Sequence, residues 1–239
     1  MSFAIKKRKN IAFKAVSGTM VRMPSESEDA FFDAGEDPTQ AEEHSAREKL
    51  LQYRLYALLL EKYAELINEK EKRTIGEIKA LVNKEDLTIQ SIAGDLKPEN
   101  YAFPNDYPAA AQKALSFAQN EISFVEPEIN LNYWLAPKEI FSSKVGDDED
   151  LAVFLCSLLF ALEDENAAVI IAELDSLRTH AFVATEFREK FYILDASQKH
   201  SFPDFSGTKE EALQKYSFKG AKIKRFLYKF NNSTYEQFI

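Results

Sequence analysis

A histidine and an aspartate on neighbouring strands are the first residues of this chain that could do acid–base work. The runs His180 to Phe187 and Lys190 to Asp195 flank Arg188-Glu189. If those two residues form a two-residue hairpin turn, Phe187 pairs with Lys190, and the ladder carries on to Phe182 opposite Asp195 and His180 opposite Ser197. His180 and Asp195 are then diagonal neighbours on one face, roughly 7–8 Å apart at the backbone and within side-chain reach. A carboxylate so placed orients the ring and favours its protonated form. An active-site pair and an ordinary surface ion pair both fit this register, and a three-residue loop would send the two side chains to opposite faces.

The second group is Gly146-Asp147-Asp148-Glu149-Asp150, which opens a run, Leu151 to Leu162, that is apolar nearly all round. Asp147 is a good helix N-cap, and the acids after it sit where free N–H groups and the positive end of the helix dipole favour negative charge. The same field would activate a cysteine nucleophile by stabilising its thiolate. The only cysteine, Cys156, lies eight residues beyond Asp148, about 12 Å along a helix axis and inside the apolar body, so it reads as a packing residue.

These residues need a scaffold, and the pattern supplies an α+β one. From Ala46 to about Lys72, Leu51, Leu55, Leu58, Leu59 and Leu66 share one helix face, with Glu and Lys expected on the other. Thr74 to Asn83 continues helical, as does Tyr107 to Phe124, with a short helical turn led by Pro137. The buried helix from about Asp147 is followed by strands over Ala168 to Leu174, His180 to Phe187, Lys190 to Asp195 and about Lys222 to Phe230. Thr208 and Glu211 have capping-box spacing ahead of a short helix. Helices first and an antiparallel sheet after is the expected layout. The expected organisation is a charged arm or linker over 1–45, a helical region over 46–100, and the main domain over 101–239.

Composition narrows the function. The 239 residues carry 39 acidic and 30 basic side chains, a net charge of −9, which argues against a nucleic-acid coat protein. With 45% hydrophobic and 29% charged residues a core can form. One cysteine gives neither a disulfide nor a thiolate metal site, and no apolar run is long enough for a bilayer, so a soluble cytoplasmic protein is expected. The Asn-x-Ser/Thr matches at Asn231 and Asn232 are idle in that setting. Lys6 to Lys9 form a basic block, while residues 24–46 hold eight acids and no Lys or Arg; whether this acidic stretch folds over a cleft as a lid is left open.

The stretch Tyr133 to Ser197 resembles the transglutaminase-like superfamily, related to papain-type cysteine peptidases. The blocks that carry the resemblance are Trp134-Leu135-Ala136-Pro137-Lys138-Glu139, Gly146-Asp147-Asp148-Glu149-Asp150, His180-Ala181-Phe182-Val183 and Leu194-Asp195, with Arg225 to Asn231 a weaker match to a last strand. The resemblance implies a papain-like domain in which a central buried helix packs on an antiparallel sheet. It also places the family's Cys-His-Asp triad on Asp148, His180 and Asp195, with aspartate where the family has its nucleophile. A carboxylate attacking an amide would form a mixed anhydride, a better leaving group than the amine, so the adduct would collapse backwards.

The expectation is therefore a noncatalytic domain that binds or scaffolds, with a protein or peptide partner and no cofactor or metal. Two alternatives stand beside it. One is altered chemistry, an amide or peptide hydrolase or acyltransferase-like enzyme with Asp148 as a base, or a hard-cation site made by Asp148, His180 and Asp195. The other is an inactive domain bound to nucleic acid through Lys6 to Lys9 with Lys219, Lys222, Lys224, Arg225 and Lys229, which net charge disfavours.

Overall fold

The computed structural model describes residues 40–67, 74–126 and 133–238. The basic block Lys6 to Lys9 and the acidic stretch up to residue 39 lie outside the described residues. By its contacts the chain divides between Ala46 and Arg47.

Four helices come first: α1 (Gln40–Ile67), α2 (Ile75–Leu81), α3 (Leu87–Leu96) and α4 (Phe103–Glu121). Local chemistry sets where the last three begin. Thr74 and Glu77 form a reciprocal capping box for α2, and Asp86 accepts from the Thr88 and Ile89 amides at the start of α3. Helix α4 starts four residues before the sequence expectation because Pro104 suits a first turn. Pro108, one turn on, has no N–H to give, and the Pro104 carbonyl accepts from the Arg188 guanidinium instead.

Strand β1 (Ser123–Phe124) pairs in parallel with β2 (Val145–Gly146), bracketing helix α5 (Pro137–Ser143). Helix α6 (Asp148–Ala161) follows directly and is buried from Asp150 to Phe160, as its all-round apolar composition requires. Truncating a side chain such as Leu155 there would cost about 2–5 kcal/mol. Cys156 is one of these fully buried residues.

The main sheet contains β3 (Ala168–Leu174), β4 (Thr179–Phe187), β5 (Lys190–Leu194), β6 (Ser206–Gly207), β7 (Ile223–Phe230) and β8 (Tyr235–Gln237). Its order is β6-β5-β4-β3-β7-β8, and every neighbouring pair is antiparallel. Alternate residues serve two cores. Val169, Ile171, Ala181, Val183 and Leu194 join the core that contains α6, whereas Ile170, Ala172, Phe182, Ala184 and Ile193 pack with Ala212 and Tyr216 at helix α7 (Lys209–Lys215). A sheet covered on both faces explains why β3 and β4 read as continuous apolar runs rather than alternating ones. Asn231 is buried, donating to the Ala167 carbonyl and accepting from Ser233 and Thr234, so it closes the β7–β8 turn.

One expectation about α1 needs correcting. Leu55 and Leu59 are buried as the stripe requires, and Leu51 and Leu58 pack against the same core, but the opposite face is not simply charged. It exposes Leu50, Tyr53 and Leu60.

The β4–β5 turn has the expected two residues, Arg188 and Glu189, pairing Phe187 with Lys190 and Val183 with Leu194. Both turn residues adopt left-handed φ, 50° and 60°, the geometry of a type I′ turn that favours Asn-Gly. An L side chain there costs about 1 kcal/mol. Glu189 is exposed, so Glu189→Gly is expected to raise stability by about 0.5–1 kcal/mol. The check is a higher urea midpoint with an unchanged slope.

Candidate functional site

Two backbone arrangements carry the site. The first is the start of α6. Asp147 caps it, accepting from the Asp150 amide at 3.0 Å, while Asp150 reaches back to the Asp147 amide at 3.4 Å. The other Asp150 oxygen accepts from the Leu135 amide at 2.7 Å, tying the Trp134-Leu135-Ala136-Pro137 segment to the helix start. Gly146 permits this packing, because a Cβ there would sit 2.9 Å from the Asp150 Cβ. The second arrangement is the β4–β5 ladder, which brings His180 near the N-terminus of α6 and Asp195 just past the end of β5.

The three sequence candidates come together. His180 Nδ1 lies 2.8 Å from Asp148 Oδ2, and His180 Nε2 lies 3.0 Å from Asp195 Oδ2. The same Asp148 oxygen accepts from the Ala181 amide at 2.8 Å, so the first turn of α6 is bolted to β4 by backbone as well as by side chain. The group is shielded, with Asp148 at its rim: the side chains of Asp148, His180 and Asp195 are 13%, 2% and 1% exposed.

Electrostatics follows from that burial. Burial opposes charge on His180, but the hydrogen bonds and charges of Asp148 and Asp195 outweigh it and lift its pKa from 6.5 to about 9. Burial likewise opposes ionisation of Asp148 and Asp195, yet the imidazolium between them holds both below the usual carboxylate range. Their neighbours go the other way. Asp147 is pushed up by burial and by the charges of Asp150 and Asp148, and Glu149 by burial and by Asp148 and Asp147. Among the consecutive acids Asp147, Asp148 and Glu149, Asp148 is thus the one whose charge the surroundings favour, and the α6 dipole favours it as well.

Several partners of the site have no counterpart in the sequence reading. Asp195 Oδ1 accepts from the Ser197 amide at 2.9 Å and from its hydroxyl at 2.6 Å. Asp195 Oδ2 also accepts from Tyr216 Oη at 2.7 Å and from Gln198 Nε2 at 2.8 Å. His200, with its proton on Nδ1 bonded to the Ser201 carbonyl, accepts the Asp195 amide on Nε2 at 2.9 Å. Phe218 stacks on the His180 ring with centroids 3.7 Å apart and planes 11° from parallel. Asp-x-Ser is a recognisable Asx-turn signal that could have found Ser197. Tyr216 and Phe218 come from beyond α7, and nothing local marks them.

The chemistry this arrangement permits is narrow. An imidazolium bonded through both nitrogens has no lone pair for a substrate proton or for a metal, so His180 is neither a base nor a ligand in this state. Asp147, Asp148 and Glu149 each offer an oxygen within 4.8 Å of the other two, a set of hard donors at the helix start. The basic residues of the C-terminal half are substantially engaged. Lys219 pairs with Glu126, Lys224 and Arg225 pair with Glu173, and Lys222 donates to the Gln214 and Tyr216 carbonyls. No described helix is long and apolar enough to cross a membrane.

No protein-family model matches the chain, and no curated protein matches it. Among solved structures it is similar to LapG of Legionella pneumophila. In the EGTA-treated form the TM-score is 0.43 and the identity 16%, covering 66% of this chain and 86% of LapG. In the calcium-bound form the values are 0.43 and 17%, over 65% and 87%. It is also similar to a candidate cysteine protease from Cytophaga hutchinsonii, with a TM-score of 0.38 and 15% identity over 64% of this chain and 55% of that one.

The raised pKa of His180 makes stability depend on pH with a definite sign. The folded state holds the proton more tightly than the unfolded chain, so the contribution is complete below about pH 6.5 and is lost as pH rises through about 9. The drop across that window is expected to be on the order of 3 kcal/mol. Asp148→Asn should lower stability at pH 7 by about 3 kcal/mol and flatten the fall between pH 7 and 10. Urea unfolding of both proteins at a series of pH values measures this.

Proposed function

We propose that this chain is a transglutaminase-like domain whose catalytic centre has become a structural ion cluster, and that it acts by binding a protein or peptide rather than by turnover. The observation that carries this reading is His180 held at both nitrogens, by Asp148 at 2.8 Å and by Asp195 at 3.0 Å. In the family it resembles, the first of those positions belongs to the cysteine thiolate and the second to the orienting acid. Asp148 supplies the negative charge of the thiolate permanently, without the nucleophilicity of sulfur.

Three physical points support the loss of chemistry. The imidazole pKa of about 9 leaves little neutral base at physiological pH. One oxygen of Asp148 is already committed to two donors, the Ala181 amide and the His180 ring. A carboxylate nucleophile at this place would also produce an anhydride that reverts faster than the amine departs, and loss of a nucleophile costs several powers of ten in rate.

The substitution Asp148→Cys tests the reading. A cysteine there, at a helix N-terminus and against His180, is expected to be alkylated by iodoacetamide at pH 6–7, with a pH profile midpoint well below the ordinary thiol value of about 8.5. The background is clean because Cys156 is fully buried. Labelling of the variant only with ordinary thiol pH dependence would remove the catalytic ancestry of the site. Wild-type protein that turns over peptide or glutamine amide substrates would overturn the noncatalytic assignment.

A further inference from the structure

Leu50, Tyr53, Ala57 and Leu60 form an apolar stripe along the solvent side of α1. Leu50, Tyr53 and Leu60 are 60%, 65% and 53% exposed. Their spacing alternates three and four residues, and in the sequence it continues to Ala46 and Ala64. At about 100° per residue these side chains fall within about 80° of arc, opposite the stripe of Leu51, Leu55, Leu58 and Leu59 that faces the chain's own core. Helix α1 therefore carries two apolar seams, and only one is used within the chain's described residues.

We propose that the outer seam pairs with the same seam of a second copy, giving an antiparallel helix pair at the centre of a homodimer. The choice of occupant and direction comes from residue size and charge. With α1 antiparallel and centred near residue 55, Leu50 meets the second copy's Leu60, and Tyr53 meets its Ala57, twice each by symmetry. A bulky ring beside a methyl group fills a layer evenly. A parallel pair would instead set Tyr53 on Tyr53 and Ala57 on Ala57, crowding one layer and leaving the next hollow.

The flanking charges give the same answer. Arg47, Arg54 and Glu61 occupy the positions that follow the seam on one side, Lys49 the other side, and all four are exposed. In the antiparallel pair Arg47 lies beside the second copy's Glu61, and the symmetry makes this contact twice. Arg54, which falls opposite itself, is turned toward its own body by a 3.3 Å hydrogen bond to the Ser143 carbonyl. In a parallel pair Lys49 would face Arg54 of the other copy on both sides, a repulsion with nothing to offset it. A seam of this length places the dimer among weak, reversible assemblies.

Sedimentation equilibrium of the full chain is expected to show a monomer–dimer equilibrium. Leu50→Glu or Leu60→Glu, at exposed positions that leave the fold and its circular dichroism unchanged, should raise the dissociation constant more than about tenfold. Arg47→Glu should weaken the dimer about threefold, and Arg47→Glu with Glu61→Arg should restore it. Direction is read by mixing Tyr53→Cys and Ala57→Cys chains under mild oxidation. Disulfides between the two variants are expected to dominate. Disulfides of each variant with itself overturn the antiparallel arrangement. A monomeric mass at every concentration, as would follow if the chain's own residues covered the seam, overturns the proposal itself.

Discussion

The imidazole of His180 is bonded at both nitrogens to buried carboxylates, and the architecture around it serves that arrangement. Three ionised groups drawn largely out of water would be prohibitive one at a time, since each would lose much of its hydration. They survive because each is paired and the carboxylate oxygens that face the ring collect further donors. Asp195 is satisfied by the Ser197 amide and hydroxyl, Gln198, Tyr216 and His180. Asp148 is satisfied by the Ala181 amide, His180 and the field of the α6 terminus. The local charge is then two carboxylates about one imidazolium, and the surplus anion sits where the helix favours it.

Such a cluster also fixes the relation of α6 to the sheet. A buried, apolar helix has little to specify its position along its own axis, because sliding by a turn exchanges one leucine for another. The hydrogen bond from the Ala181 amide to Asp148 and the capping pair of Asp147 with Asp150 remove that freedom. Asp150 extends the same control to the preceding segment through the Leu135 amide, which is why the Trp134 and Gly146 blocks belong together in space although they are separate in sequence. Gly146 is required for a related reason: the chain must pass so close to the Asp150 side chain that no Cβ fits.

Much of this was legible in the sequence because its causes are local. The hairpin register follows from a two-residue turn, so the convergence of His180 and Asp195 could be anticipated before any coordinates. The burial of α6 follows from its composition, and the start of α7 from the capping box at Thr208. What escaped has nonlocal causes. Tyr216 and Phe218 reach the site from a different layer, and their spacing from Asp195 carries no periodic signal. The short edge strands β6 and β8 exist because neighbours offer them a ladder, not because of their own propensity. On α1 a single period fits the inner and the outer leucines alike, and only burial separates them.

Replacing sulfur by a carboxylate changes the balance between stability and activity at such a site. A thiolate–imidazolium pair must stay accessible and reactive, so its members remain strained against solvent and substrate, and stability is forgone to keep them so. An aspartate at the same point is ionised without help from the histidine, forms shorter hydrogen bonds than a diffuse sulfur anion, and accepts two donors at one oxygen. In this chain Phe218 lies over the imidazole at stacking distance and keeps water from that face of the pair. The stacked aromatic and the ion pair act in one direction: a permanent pair is strengthened by shielding it from water, and its burial then stabilises the fold.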